Sequence, residues 1–416
     1  MVVGVNSSMA KTIMIQGTGS GVGKSIIVTA LCRIFHQDGY RVAPFKSQNM
    51  SLNSGVTDDG KEIARAQITQ AEAAGIKPAV EMNPILLKPT SDTGAQVIVC
   101  GKPIGNMHAV EYHAYKPYLT EKIKECFVKL KNMYEIIVIE GAGSPAEINL
   151  QDNDIVNMYV ARLTNAPVIL ITDIDKGGAF AWIVGTLELL PYEDRKRIKG
   201  IIINKFRGDK KLLTSAIRYL EDRYGIPVVG ILPYVHDICI SEEDSMGLEK
   251  NTMYSEDVQD KLEIIIVQLP HISNFTDFEL LGKEHDVCLR YVHTHSHIKN
   301  TPDALIIPGT KNTIEDMKYL HDTGYTDKIL SIINNNSTLV LGICGGFQML
   351  GKEILDTGHV ESEINRIEGL GVLDMYTVFC PQKVTVKVKA KVCHEIFNNK
   401  DMEIEGYEIH MGRSVF

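Results

Sequence analysis

Two short stretches carry residue types whose spacing could do chemistry. The first, "GTGSGVGKS", runs from Gly17 to Ser25, ends an apolar run and opens a helix-like segment. Backbone N–H groups of a Gly-rich turn, with the positive end of the following helix, form a cradle for phosphate oxygens. Gly17, Thr18, Gly19, Ser20, Gly21, Val22, Gly23, Lys24 and Ser25 are therefore assigned to a nucleotide site, with Lys24 reaching the β- and γ-phosphates and the Ser25 hydroxyl on Mg²⁺. The common GxxxxGK[ST] spacing places glycine at 18, where this chain has Thr18, so its loop is one residue longer. The second stretch, "LVLGICGGFQMLG" (339–351), sets a lone thiol, Cys344, between an apolar run and a Gly-Gly pair. A strand-to-helix elbow of this kind exposes a nucleophile. The N–H groups of Gly345 and of Gly309, in "IPGT", are placed to bind an oxyanion. The helix behind Cys344 is expected to lower the thiol pKa.

Other polar residues cluster at the ends of apolar runs. A hard cation on a triphosphate seeks carboxylate oxygen. Glu140 ends "IIVIE", and Asp173 and Asp175 end "VILITDID", where either could instead cap the next helix. Asn204, in "INKF", is a candidate contact to the nucleotide base or a plain strand end. "KSQNMSLNS" (46–54) follows the strand-like "RVAPF" and is read as an acceptor-binding loop rather than a merely polar one. "HTHSH" (293–297) fits a polar loop better than a metal site. His394 lies just past an exposed-looking strand.

These residues need elements to position them. "KTIMIQG", "EIIVIEGAG", "APVILITDID", "IKGIIINKF" and "IPVVGILP" are continuous Val/Ile runs. Such runs suit strands buried on both faces of a parallel sheet. Helix-like segments between them (24–39 and 209–225 among them) predict an α/β fold: a P-loop, doubly wound parallel sheet over 11–233, after a short extension at 1–10. Ligands then belong at the carboxyl ends of the strands. Residues 234–261 are acidic, lack an apolar period and read as a linker. A second α/β series follows over 262–416, and "KVTVKVKAKV" (383–392) alternates as a half-exposed antiparallel strand does.

The 416 residues suit two or three domains, and 44% hydrophobic with 23% charged content is ordinary for a globular protein. A net charge of −9 argues against a nucleic-acid-coating surface. No run approaches the roughly 20 apolar residues that span a bilayer, and the start lacks a signal-peptide pattern. The eight cysteines show no CxxC pair, and all but Cys344 are expected to be plain separate reduced thiols in a cytoplasmic protein. A homo-oligomer is left open.

Taken in order, "GTGSGVGKS", "KSQNMSLNS", "EIARAQITQAEAAG", "MNPILLKPTSD", "EGAGSPAEINL", "DIDKGGAFA", "NKFRGD", "PGTKNTIEDM", "LGICGGFQMLG" and "GYEIHMG" resemble the cobyric acid synthase family of cobalamin biosynthesis. The loop variant also resembles that of dethiobiotin-synthetase-like enzymes. The resemblance implies a P-loop amidoligase domain followed by a class I glutamine amidotransferase domain. Its implied substrates are ATP with Mg²⁺, glutamine as ammonia donor, and adenosylcobyrinic acid a,c-diamide, amidated at its b, d, e and g carboxylates. No prosthetic group is expected. Lys46, Gln48, Asn49 and Asn53 are then the expected acceptor or phosphate contacts.

In complete family members the catalytic histidine lies downstream of "GYEIHMG", and this sequence stops four residues after Gly412. That histidine is expected to be absent and the second domain incomplete. His410 is the nearest base by position. Weak glutaminase activity with retained ammonia-dependent amidation is the expectation. The rival readings are an amidotransferase acting on another corrinoid position or a cell-wall precursor, a degenerate corrinoid binder, and a partition-type P-loop ATPase switch. The last leaves Cys344 idle.

Overall fold

The structure is a computed structural model that describes residues 10–90, 93–236, 240, 260–298, 301–335, 337–392 and 402–416. Residues 1–9 of the extension expected at 1–10, most of the linker expected over 234–261, and His394 lie outside the described residues. The chain forms two compact units, one of residues 1–49, 61–87 and 97–241, the other of 50–60, 88–96 and 242–416.

The apolar runs of the first unit become six parallel strands, ordered Val42–Phe45, Ile136–Glu140, Lys11–Gly17, Val168–Asp173, Ile198–Phe206 and Val228–Pro233. The central strands are largely apolar because both of their faces are covered: Met14, Ile15, Ile137, Val138 and Ile139 are all 0% exposed. The helix Lys24–Gln37 lays Ile27, Val28 and Cys32 against Ile15, Val138 and Ile171. The strand that follows this helix pairs with Ile136–Glu140 and not with Lys11–Gly17. This reversal of strand order puts the switch point of the sheet beside the end of Lys11–Gly17, where ligand-binding crevices form in sheets of this kind.

The second unit carries a parallel sheet ordered Val287–Val292, Leu262–Val267, Ala304–Ile307 and Leu339–Gly342. The helices Thr313–Asp322 and Tyr325–Asn334 bury Ile314, Met317, Leu320 and Ile329 in its core. A mixed sheet follows, ordered Arg366–Glu368, Glu353–Leu355, Tyr376–Lys391 and Glu403–Val415. The alternating run at 383–392 lies in the long antiparallel pair of its last two strands, with Val384 opposite His410 and Val388 opposite Gly406.

Hydrogen bonds hold residues 50–60 and 88–96 within the second unit. Ser54 N–H donates to Asn274 Oδ1 (2.8 Å), Lys383 Nζ to Gln96 Oε1 (2.9 Å), and Lys387 pairs with Asp58. Hydrophobic periodicity carries no sign of these excursions, because partners some 220 to 330 residues apart leave no local pattern. Also beyond the sequence reading are the 25-residue helix Ala109–Met133 and the sheet ordered Gln48–Met50, Ile85–Pro89, Gly94–Val99 and Lys102–His108.

Candidate active site

In the first unit the loop after Lys11–Gly17 turns sharply into the helix beginning at Lys24. Gly23 has φ 101°, and a Cβ there would lie 2.3 Å from Asn204 Nδ2. Only glycine accepts both the left-handed backbone and that close approach. Asn204 Nδ2 donates to Val22 O (2.9 Å), so this side chain fastens the loop. Lys205, itself at φ 60°, donates to Gly21 O (2.9 Å) and pairs with Asp173 Oδ2 (2.9 Å). Thr18 Oγ1 donates to Thr172 Oγ1 (3.2 Å). Lys24 Nζ donates to Gly19 O (2.9 Å) and Gly143 O (3.2 Å), curling over the loop.

Three side chains converge on Glu140, whose side chain is fully buried: Ser25 Oγ (2.8 Å) and Lys46 Nζ (3.0 Å) on Oε1, and Gln70 Nε2 (2.5 Å) on Oε2. A buried carboxylate is tolerated when it is paired and fully hydrogen-bonded in this way. Ser25 and Glu140 therefore present two hard oxygen donors beside the loop, a donor set that suits Mg²⁺. Asp173 is differently committed, with Oδ2 on Lys205 and Oδ1 accepting the Asp175 N–H (2.9 Å). Asp175 itself pairs with Arg207 (3.0 Å). Of the expected acceptor contacts, Lys46 lies on Glu140, Gln48 Oε1 accepts from Tyr112 OH, and Asn49 Nδ2 donates to Gln67 Oε1 (3.0 Å). Asn53 belongs to the second unit. It is 2% exposed, and neither polar atom of its amide has a hydrogen-bond partner.

In the second unit Cys344 stands between the strand Leu339–Gly342 and the short helix Gly345–Met349, at φ 52° and ψ −111°. This strained backbone turns the thiol out of the sheet edge. The following glycines are steric necessities: a Cβ on Gly346 would lie 2.0 Å from Ile307 O, and one on Gly345 would lie 2.6 Å from Thr310 Cγ2. Gly309 sits beside the nucleophile, its built Cβ position 3.6 Å from Cys344 Cβ. The loop holding Gly309 is anchored from below. Ser273 N–H donates to Gly309 O (2.9 Å), Thr310 Oγ1 donates to the buried Asp316, and Asp316 accepts from His271. Asp316 pulls the His271 imidazole above its ordinary pKa.

Cys344 as a residue is exposed, yet its sulfur is crowded, and desolvation pushes the thiol pKa up. The Gly345 N–H works in the expected opposite direction but is outweighed. Glu361 adds to the rise, while Lys88 and Lys383 oppose it. The thiol donates to Ile409 O (3.6 Å). His410, the next residue on the strand, bonds through Nδ1 to Gly412 O (2.9 Å) and through Nε2 to Glu408 (3.4 Å). It makes no hydrogen bond to Cys344. The HTHSH stretch forms a bend and a short 3₁₀ turn. Among the described residues the one cluster with metal-ligand spacing is Glu284, His285 and Asp286, all exposed and in neither site.

Residues 13–248 match the CobQ/CobB/MinD/ParA nucleotide binding domain, and residues 263–416 match the CobB/CobQ-like glutamine amidotransferase domain. The cobyric acid synthase of Pelotomaculum thermopropionicum is 53% identical over 98% of this chain and 77% of its own length. That of Yersinia enterocolitica is 52% identical over 98% of this chain and 79% of its own. The chain belongs to the cobyric acid synthase family. Its two matched domains account for the P-loop parallel sheet and the thiol elbow alike. Membership in this family sets aside a partition-type switch, which has no use for residues 263–416. Among solved structures, the signal recognition particle receptor FtsY of Elizabethkingia anophelis in complex with GDP aligns over 53% of this chain and 56% of its own at 16% identity. Its TM-score of 0.32 is too low to bear on the fold. No helix among the described residues is long and apolar enough to cross a membrane.

Several residues of these sites have no local signature. Gln70 lies on the helix Arg65–Ala73, and Lys205 is the second-last residue of the strand Ile198–Phe206. Lys88, Lys383, Glu361, His271 and Asp316 reach the thiol loop from five separate segments. Lys88 closes the apolar "ILL" with no local mark of its role; it is 3% exposed and donates to Ser54 Oγ (2.7 Å).

Proposed function

We propose that this chain amidates the b, d, e and g side-chain carboxylates of adenosylcobyrinic acid a,c-diamide at the expense of ATP, with ammonia released from glutamine or taken up directly. The observation that carries this reading is the identity of 51 to 53% with cobyric acid synthases over nearly the whole chain. A carboxylate is a poor electrophile because its leaving group would be oxide. Its attack on the γ-phosphate of ATP gives an acyl phosphate, which ammonia opens to an amide with loss of phosphate. Transfer of this type depends on positioning and charge neutralisation. Lys24, released from Gly19 O, supplies one positive charge at the phosphates, and the loop N–H groups from Gly17 to Ser25 supply the cradle. Ser25 and Glu140 would hold Mg²⁺, with Asp173 as the further carboxylate; the ion supplies neutralisation of the triphosphate. Asn204 acts by holding the loop in its binding shape.

Lys46, Gln48 and Asn49 are the proposed contacts to acceptor or transferring phosphate, and Asn53 is proposed on the strength of its buried, unpartnered amide. In the glutaminase half Cys344 is the proposed nucleophile, and the N–H groups of Gly309 and Gly345 the proposed oxyanion donors. The engagement of His410 with Gly412 and Glu408 favours a structural role for it. The proposed compartment is the cytoplasm, in keeping with the free thiols.

The test is product analysis with the corrinoid acceptor, ATP and either nitrogen source. Four amide additions are expected with ammonia, lost in Lys24→Ala and kept in Cys344→Ser. Absence of amide additions at the b, d, e and g carboxylates, or no acceptor-dependent ATP turnover, would overturn the proposal. For the 416-residue chain itself, ammonia is expected to outperform glutamine, since His410 does not engage the thiol; equal use of glutamine refutes that part.

A further inference from the structure

Two thiols outside both sites face each other in the first unit. Cys100 Sγ and Cys126 Sγ are 3.7 Å apart, although in the sequence they belong to no spaced motif. The pair is held by rigid surroundings. Cys100 heads the turn between the strands Gly94–Val99 and Lys102–His108, at φ 47° and followed by Gly101 at φ 79°. Its N–H donates to Pro84 O (2.7 Å), and Gly101 O accepts from Glu62 N–H (3.2 Å), so the turn is clamped on both sides. Cys126 lies on the helix Ala109–Met133 and is 3% exposed, whereas Cys100 is half-buried. Lys122 and Lys129, one helical turn before and after Cys126, bring positive charge to Cys100. Glu81 opposes them and is itself 3.3 Å from Lys129 Nζ.

We propose that Cys100 and Cys126 form an oxidisable dithiol, in which Cys100 reacts first with a low-molecular-weight disulfide and Cys126 resolves the adduct. The Cys100 thiolate attacks one sulfur of the small disulfide, making a mixed disulfide and expelling one small thiolate. Cys126 then gives its proton to solvent and attacks Cys100 Sγ. The Cys100–Cys126 bond forms as the second small thiolate leaves. Two protein thiols are oxidised by two electrons, and one small disulfide is reduced to two thiols. The sulfurs must close from 3.7 Å to about 2.0 Å for the bond to form. The order of events follows from chemistry as well as access. The contact with Cys126 holds the Cys100 thiol down to about 7, the basic neighbours favour its thiolate, and Cys126 is pushed up. Cys32, by contrast, is buried and pushed up to about 12, so it is expected to stay unreactive.

The test uses the native 416-residue chain with oxidised glutathione, followed by alkylation, peptide mapping and mass spectrometry. The expected result is a Cys100–Cys126 cross-linked peptide, reversed by dithiothreitol, with Cys32 recovered only as the alkylated thiol. In Cys126→Ser the glutathione adduct should instead accumulate on Cys100; in Cys100→Ser no adduct should appear on Cys126. Recovery of Cys100 and Cys126 as separate alkylated thiols after prolonged incubation with excess oxidised glutathione would overturn the proposal, and this arm needs no variant.

Discussion

Glu361 offers a sharp test of how the surroundings of Cys344 are balanced. Its side chain is 7% exposed, with Oε2 accepting the Thr313 N–H (2.7 Å) and Oε1 4.0 Å from Lys311 Nζ. Desolvation dominates, and the carboxyl is pushed up from 4.5 to about 7 despite the attraction of Lys311. The folded chain therefore holds a proton that the unfolded chain has already lost. Between about pH 4.5 and about pH 7, stability falls as pH rises, and above pH 7 the loss is complete. A difference of about 2.5 pH units at about 1.36 kcal/mol each makes the total about 3 kcal/mol. Glu361→Gln keeps an oxygen for the Thr313 N–H but cannot ionise. It should match the parent near the acid end of this window and exceed it by up to about 3 kcal/mol at about pH 8. Urea denaturation at both ends of the window, with hydrogen exchange followed over 263–416, measures the difference. The same substitution removes a negative charge acting on Cys344. The pH profile of thiol alkylation should therefore move to lower pH. Parallel stability curves for parent and variant, with an unmoved alkylation profile, would refute the reasoning.

Substitutions at three other sites test the packing. Glu140→Ala removes the buried carboxylate that pairs with Lys46 and accepts from Ser25 and Gln70, and should cost about 3–5 kcal/mol; Glu140→Gln should cost less, and thermal denaturation of both variants without nucleotide separates this from any role in catalysis. Gly346→Ala places a methyl 2.0 Å from Ile307 O and should unfold or distort the thiol elbow, read as a lowered Tm and lost Cys344 alkylation. Gly185→Ala, inside the helix Ala179–Leu189 with nothing within 4 Å of the added Cβ, should instead stabilise by about 0.5–1 kcal/mol.

Much of this protein is written in local sequence. The continuous Val/Ile runs determine parallel strands because a strand covered on both faces has no place for alternation. Glycines at 23, 345 and 346 mark the two chemical turns because the backbone comes too close to its neighbours for a side chain. The alternating run at 383–392 likewise announces its antiparallel pair. Tertiary structure decided what those turns are surrounded by. Ser25, Lys46 and Gln70 meet on Glu140 from four segments, and no spacing rule joins them. Residues 50–60 and 88–96 join the second unit, bringing Lys88 to bear on Cys344, through hydrogen bonds that span more than half the chain. The direction of the thiol pKa was decided there too. Sequence displays the helix end that lowers it, but the desolvation that outweighs that effect exists only once the chain is packed.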